Sequence, residues 1–174
     1  GKSEHAAPFR DRMSHFGYLQ AYPEAEQLSV QRISGAQFSE RVGRGAYDPN
    51  RNAMWFDGAS NDRGRSIALH ELQHDAQRRE AFQTGAAANG LEATIYNQYA
   101  VRINNAIQDG DRAEAARLRA ELDALKLKSD IDTYRRLAGE VEARAVQKRM
   151  DMTPEERRAR PPWLDYDVPE DQQI

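Results

Sequence analysis

Arg65-Ser66-Ile67-Ala68-Leu69-His70-Glu71-Leu72-Gln73-His74-Asp75-Ala76-Gln77-Arg78-Arg79-Glu80-Ala81-Phe82 is the stretch on which the reading of this chain turns. A helix is expected to begin near Arg65 or Ser66, run to about Phe82 and end before Gly85. His70 and His74 stand four residues apart, so both imidazoles project from one face of that helix and can bind one metal ion. Glu71 lies at the edge of the same face, within reach of a water in the metal's open position. A metal-activated water with a carboxylate base beside it is the equipment for hydrolysing an amide. The plain reading is chance spacing on a solvated helix. Against it, the chain has only four histidines and the motif uses two of them. Ile67, Ala68 and Leu69 are also apolar, as a helix buried beneath an active site requires.

Composition sets the class around this helix. A chain of 174 residues is expected to form one domain with a single core. Its parts would be an N-terminal segment (1–35), a hairpin and motif helix (36–90), a helical part (91–160) and an extended tail (161–174). The net charge of −3, with acids interspersed among the arginines, argues against a general nucleic-acid binder. The absence of cysteine removes disulfides, thiolate zinc ligands and cysteine nucleophiles together. No apolar run is long enough to span a bilayer, and no signal peptide is visible. The chain opens on Gly1-Lys2-Ser3 without an initiator methionine, so it is expected to be a domain cut from something larger.

Outward from the motif, Gly45-Ala46-Tyr47, Asp48-Pro49-Asn50-Arg51-Asn52 and Ala53-Met54-Trp55-Phe56 read as strand, turn and strand. Residues 57–64 read as a polar loop, and residues 36–42 fit either helix or strand. Near the start, Phe9, Met13, Phe16 and Leu19 could line one short helix. The second half reads as wholly helical. Leu91, Ile95, Tyr99, Ile103 and Ile107 form one stripe, and Asp109-Gly110-Asp111 is a stop followed by a cap. Ala115, Leu118, Leu122 and Leu125 form the seam of a helical hairpin. Ile131, Tyr134, Ala138, Val141 and Ala145 continue on a third helix. Thr153-Pro154-Glu155-Glu156 starts a fresh helix with a capping hydroxyl, a proline and first-turn acids.

A catalytic zinc takes three protein ligands, and no histidine follows His74. Glu80 lies about 240° round the helix from His74 and should point away. His5 and His15 precede the motif. Downstream, Gly139-Glu140-Val141-Glu142-Ala143-Arg144 offers two carboxylates about 200° apart, of which only one can face a metal. Arg136, Glu140 and Arg144 could equally form an exposed ion-pair ladder.

A motif helix followed by a helix bearing E-x-x-A-[D or R] resembles the gluzincin class of zinc metallopeptidases. The resemblance implies a zincin-like α+β fold, mainly α, with a short hairpin or sheet before the motif helix and a helical second half containing a long hairpin. It also implies a Zn2+ ion held by His70, His74 and Glu140, with Glu71 as catalytic base. Arg144 stands where many gluzincins have an aspartate that orients a ligand histidine, which leaves that role unassigned. At finer grain, the run from Tyr134 to Glu140, with Pro161-Pro162-Trp163 and Val168-Pro169, resembles the large polyvalent protein-associated domains of bacteria, phages and mobile elements. That likeness spans roughly residues 40–174. It implies work inside a larger chain, in a bacterial cytoplasm or as part of a delivered phage or mobile-element protein.

The expected partner is a protein or peptide substrate. The strand before a zincin motif helix is often the edge on which a peptide lies extended. Tyr96, Tyr99 and Tyr134 could stabilise an oxyanion, though each sits on or beside an apolar stripe suited to packing. Trp55 and Phe56 suit the sheet. The hairpin over 91–128 could be a lid, a partner surface or scaffold. A zinc-stabilised binding module without turnover is the alternative to the peptidase, and a metal-dependent hydrolase of another amide or of a cell-wall peptide link is a third reading.

Overall fold

The computed structural model describes residues 5–13, 15–33, 45–57, 62–82 and 90–174. The expectations for residues 36–42 and for the loop at 58–61 fall outside them. The fold is α+β and mainly helical, with a small mixed sheet ahead of the long helices. It divides into two compact units, Gly1–Thr84 with Glu142–Asp167 and Gly85–Val141 with Val168–Ile174.

Among the described residues of the first unit, four strands order as β1-β2-β4-β3, namely β1 (Ala7–Pro8), β2 (Ser29–Ile33), β3 (Gly45–Asp48) and β4 (Ala53–Asp57). The expected hairpin is β3–β4, antiparallel, with Asp48 opposite Ala53. Its turn is held by the Asp48 carboxylate, which accepts from the backbone N–H groups of Asn50 and Arg51. β2 comes from the stretch with the weakest pattern, and it pairs in parallel with β4 from Ser29–Ala53 to Ile33–Asp57. Side chains alternate across this sheet. Val30, Met54 and Phe56 face inward, while Gln31 and Trp55 meet on the other face through an indole N–H bond of 3.1 Å.

The helix under the sheet is α3 (Asp62–Arg79), which contains the whole motif. It starts three residues earlier than the pattern indicates, so Asp62, Arg63 and Gly64 are helical rather than loop. An acidic residue in the first turn suits the positive end of the helix dipole. Its far end closes with Ala81 left-handed (φ 57) and bonds from Phe82 N–H to Gln77 O and from Ala81 N–H to Arg78 O. Ala68 and Leu72 join Val30, Met54, Phe56, Leu28 and Phe9 in the core. The single helix expected from Phe9 to Leu19 is instead two short ones, α1 (Phe9–Arg12) and α2 (Phe16–Ala21), because Met13 is extended (φ −137, ψ 134).

The second unit holds the hairpin of α4 (Leu91–Gln108) and α5 (Arg112–Leu125), with Asp111 capping α5 as expected. Ile103, Ala106, Ala115 and Leu118 form its seam. Ile107, placed in the stripe by the four-residue spacing, is 49% exposed and Ala106 takes its place. The reason is drift, since each step of four turns about 40° too far and by Ile107 the sum is about 160° from Leu91. The expected third helix breaks at Leu137 (φ −58, ψ 128) into α6 (Asp130–Arg136) and α7 (Ala138–Lys148). Backbone groups at the break pair with Ile174, through Ile174 N–H to Arg136 O and Ala138 N–H to Ile174 O. Ile131, assigned to that stripe, is 61% exposed.

Helix α7 runs on into the first unit, where α8 (Pro154–Ala159) begins with the expected capping box of Thr153 and Glu156. The tail is turned rather than extended, with 3-10 turns at Pro162–Asp165 and Glu170–Gln172. Asp165 is buried there and bonds Arg149 at 2.6 Å and Arg160 at 3.0 Å. Among the described residues no helix is long and apolar enough to cross a membrane.

Candidate metal centre

The site is carried by two helices. α7 is held along α3 by Gln77 Nε2–H donating to Glu142 Oε2 at 2.8 Å and by Gln147 Nε2–H donating to the Ser66 carbonyl at 3.2 Å. His70, His74 and Glu140 each offer a ligand atom, and these atoms lie within 4.8 Å of one another. Glu140 is 2% exposed and His74 7% exposed, so this is a buried His/His/Glu group able to hold a metal ion.

The ring geometry fits that task. The Nε2 atoms of His70 and His74 face each other 3.2 Å apart, with the rings nearly perpendicular at 89°. Two imidazole ligands of one tetrahedral zinc, at about 2.0–2.1 Å each, would stand about 3.3 Å apart. Glu71 is buried on the sheet side of α3, with its carboxylate against Gly45 at the start of β3.

The other candidates have different neighbours. Glu80 is exposed and accepts from the Tyr22 hydroxyl, consistent with a side chain pointing away from His74. The His15 ring caps α2, its Nδ1 accepting from the Tyr18 N–H at 3.0 Å. His5 is exposed. Glu142 accepts from Gln77 and, at 3.4 Å, from Gln73. Arg144 makes a forked pair with Asp167 at 2.7 and 2.9 Å. Tyr99 and Tyr134 pack in the α4–α6 core, and Tyr96 is 44% exposed.

Two residues that sequence reasoning passed over stand close to the motif. Gln77 binds His74 Nδ1 at 2.9 Å, and its signal was the three-residue spacing from His74, which puts both on one helix face. Asp75 is fully buried and accepts from Tyr18 Oη (2.6 Å), Tyr47 Oη (2.9 Å) and Arg79 Nε (2.7 Å). Burial first, and then the Asp75 hydrogen bond, pushes the Tyr47 phenol up to about 12. Those tyrosines lie 57 and 28 residues away in the chain, so no local pattern could link them to Asp75. No family model, curated protein or solved structure matches this chain.

Proposed function

We propose that this chain is a zinc-dependent peptidase of gluzincin type, hydrolysing a peptide bond in a protein or peptide substrate. One observation carries the reading: His70, His74 and Glu140 converge on one point while Glu71, adjacent in sequence to His70, is buried against the edge strand. Two imidazoles and a carboxylate, with no thiolate, are a donor set that catalytic zinc uses while keeping a position open. When bound, zinc would supply Lewis acidity and a water acidic enough to lose a proton near neutral pH.

The protein's own residues do the rest. His70, His74 and Glu140 are the ligands. Glu71 accepts a proton from the attacking water and later delivers it to the departing amine nitrogen, so one C–N bond is exchanged for one C–O bond. A purely structural site has no use for a buried carboxylate in that position. Among the described residues β3 is paired only with β4, so its outer backbone groups could take an extended peptide as a further strand. The resemblance to polyvalent protein-associated domains would make the natural setting a larger phage or mobile-element protein.

The test is to purify the full chain without added metal, measure zinc per chain, and then expose wild type and Glu71→Gln to a complex peptide library read by mass spectrometry. One zinc in both proteins and cleavage by wild type alone is the expected result. Failure to hold zinc after reconstitution overturns the metal centre. Zinc without cleavage replaces the peptidase by a non-catalytic binding module.

A further inference from the structure

We infer that Gln77 is the positioning residue that aims His74 at the metal, with Glu142 as its anchor on α7. The inference rests on the His70–His74–Glu140 centre proposed above and assigns the role that Arg144, whose guanidinium can donate but not accept, cannot fill.

The argument follows from which atoms can donate. Gln77 is 1% exposed and has a partner at each end of its amide. The carboxylate of Glu142 can only accept, so the end of Gln77 facing it at 2.8 Å is the NH2 group. The amide oxygen is thereby turned to His74 Nδ1 at 2.9 Å. That oxygen can only accept, so Nδ1 carries the ring proton and Nε2 carries the lone pair. Nε2 is the atom directed at His70 Nε2. The relay His74 to Gln77 to Glu142 therefore selects the tautomer and ring orientation that a metal ligand needs.

A ligand histidine usually donates its other N–H to a carboxylate, a backbone carbonyl or water. Here an amide oxygen takes that place, and the carboxylate stands one group further out. The imidazole is then less electron-rich than one bonded directly to a carboxylate, which leaves more positive charge on the metal. Gln73, donating to the same Glu142 oxygen at 3.4 Å, braces the anchor from α3.

The experiment uses the full chain. The His74 tautomer is read by nitrogen NMR in metal-free protein, and zinc affinity by competition with a chromophoric chelator. The variants are Gln77→Ala, Gln77→Glu, Glu142→Gln and the exchanged pair Gln77→Glu/Glu142→Gln. Wild type should show the proton on Nδ1. Gln77→Ala should lose that preference and bind zinc about 10–100-fold more weakly. Gln77→Glu alone sets two carboxylates against each other and should also weaken binding. The exchanged pair restores a donor on α7 and an acceptor for His74, and should return affinity to the wild-type range or above.

A proton on Nε2 in wild type overturns the relay, as does wild-type affinity in Gln77→Ala. Should Gln77→Ala not fold, the exchanged pair against Gln77→Glu decides, since no recovery in the pair is equally fatal. A wild type that binds no zinc overturns the metal centre instead, and the tautomer still judges the relay.

Discussion

Gly45 on β3 lies so close to Glu71 on α3 that a Cβ at position 45 would stand 2.4 Å from Glu71 Oε1 and 2.6 Å from Ile67 Cγ2. Two residues further along the strand, Tyr47 bonds Asp75, four residues further along the helix. Two strand residues advance about 6.6 Å and four helix residues about 6 Å, so the edge strand and the motif helix keep step. The strand thus presses on the helix at both the proposed base and the buried aspartate.

Gly45→Ala is accordingly expected to displace Glu71 or the start of β3. Glu71 could swing aside, but Ile67 is branched and stiff. Overpacking here should cost about 1–3 kcal/mol in a denaturant titration. Misplacing the base by about 1 Å should lower hydrolysis by about 100-fold. Zinc content should not change, because Glu71 is the proposed base and not one of the three proposed ligands. Wild-type stability together with wild-type cleavage would refute the close contact.

The ligand assignment separates by zinc affinity. His70→Ala and His74→Ala should abolish stoichiometric zinc, and Glu140→Ala should weaken binding more than any other carboxylate replacement. Glu142→Ala should show the smaller loss of an outer partner, about 10–100-fold. Glu80→Ala, whose side chain meets Tyr22, should leave affinity unchanged. A loss at Glu80 or Glu142 exceeding that at Glu140 would move the third ligand.

Asp75→Asn should be among the most damaging single changes in the first unit. The carboxylate accepts three hydrogen bonds from three different side chains, one of them the nearly buried Arg79. An amide can accept at one end only and leaves the guanidinium with Glu24 as its remaining carboxylate, at 3.2 Å. Breaking a buried pair of this kind costs about 3–5 kcal/mol, measurable by urea unfolding. A loss under about 1 kcal/mol would show that the network contributes little beyond packing.

The same network sets an alkaline limit. The Tyr47 phenol is pushed from 10.0 to about 12, so the folded protein holds this proton more tightly than the unfolded chain does. Its contribution is fully present below pH 10 and is lost as pH rises towards about 12. Tyr47→Phe, with no proton to lose, should show a shallower decline of stability over that interval in urea titrations. Identical declines in the two proteins would remove Tyr47 from the account.

Much of the local structure was legible in the residues alone. The His70–His74 spacing places two imidazoles on one face, and the β3–β4 hairpin, the cap at Asp111 and the capping box at Thr153 all stand where short-range chemistry put them. Each depends on neighbours within a few positions, which is the range over which helix and turn geometry acts. What the tertiary structure decided depends on long-range pairing. β2 has no pattern of its own and becomes a strand because β4 offers it a parallel partner. Ile107 and Ile131 satisfy a periodicity but miss the buried face, because a seam follows the partner helix and not a fixed spacing. Helix spacing allowed only one of Glu140 and Glu142 to face a metal, and the family resemblance pointed to Glu140. Only the packing of α7 on α3 brings one to the histidines and the other to Gln77, 65 residues away in the chain, where a single buried amide selects the tautomer of His74.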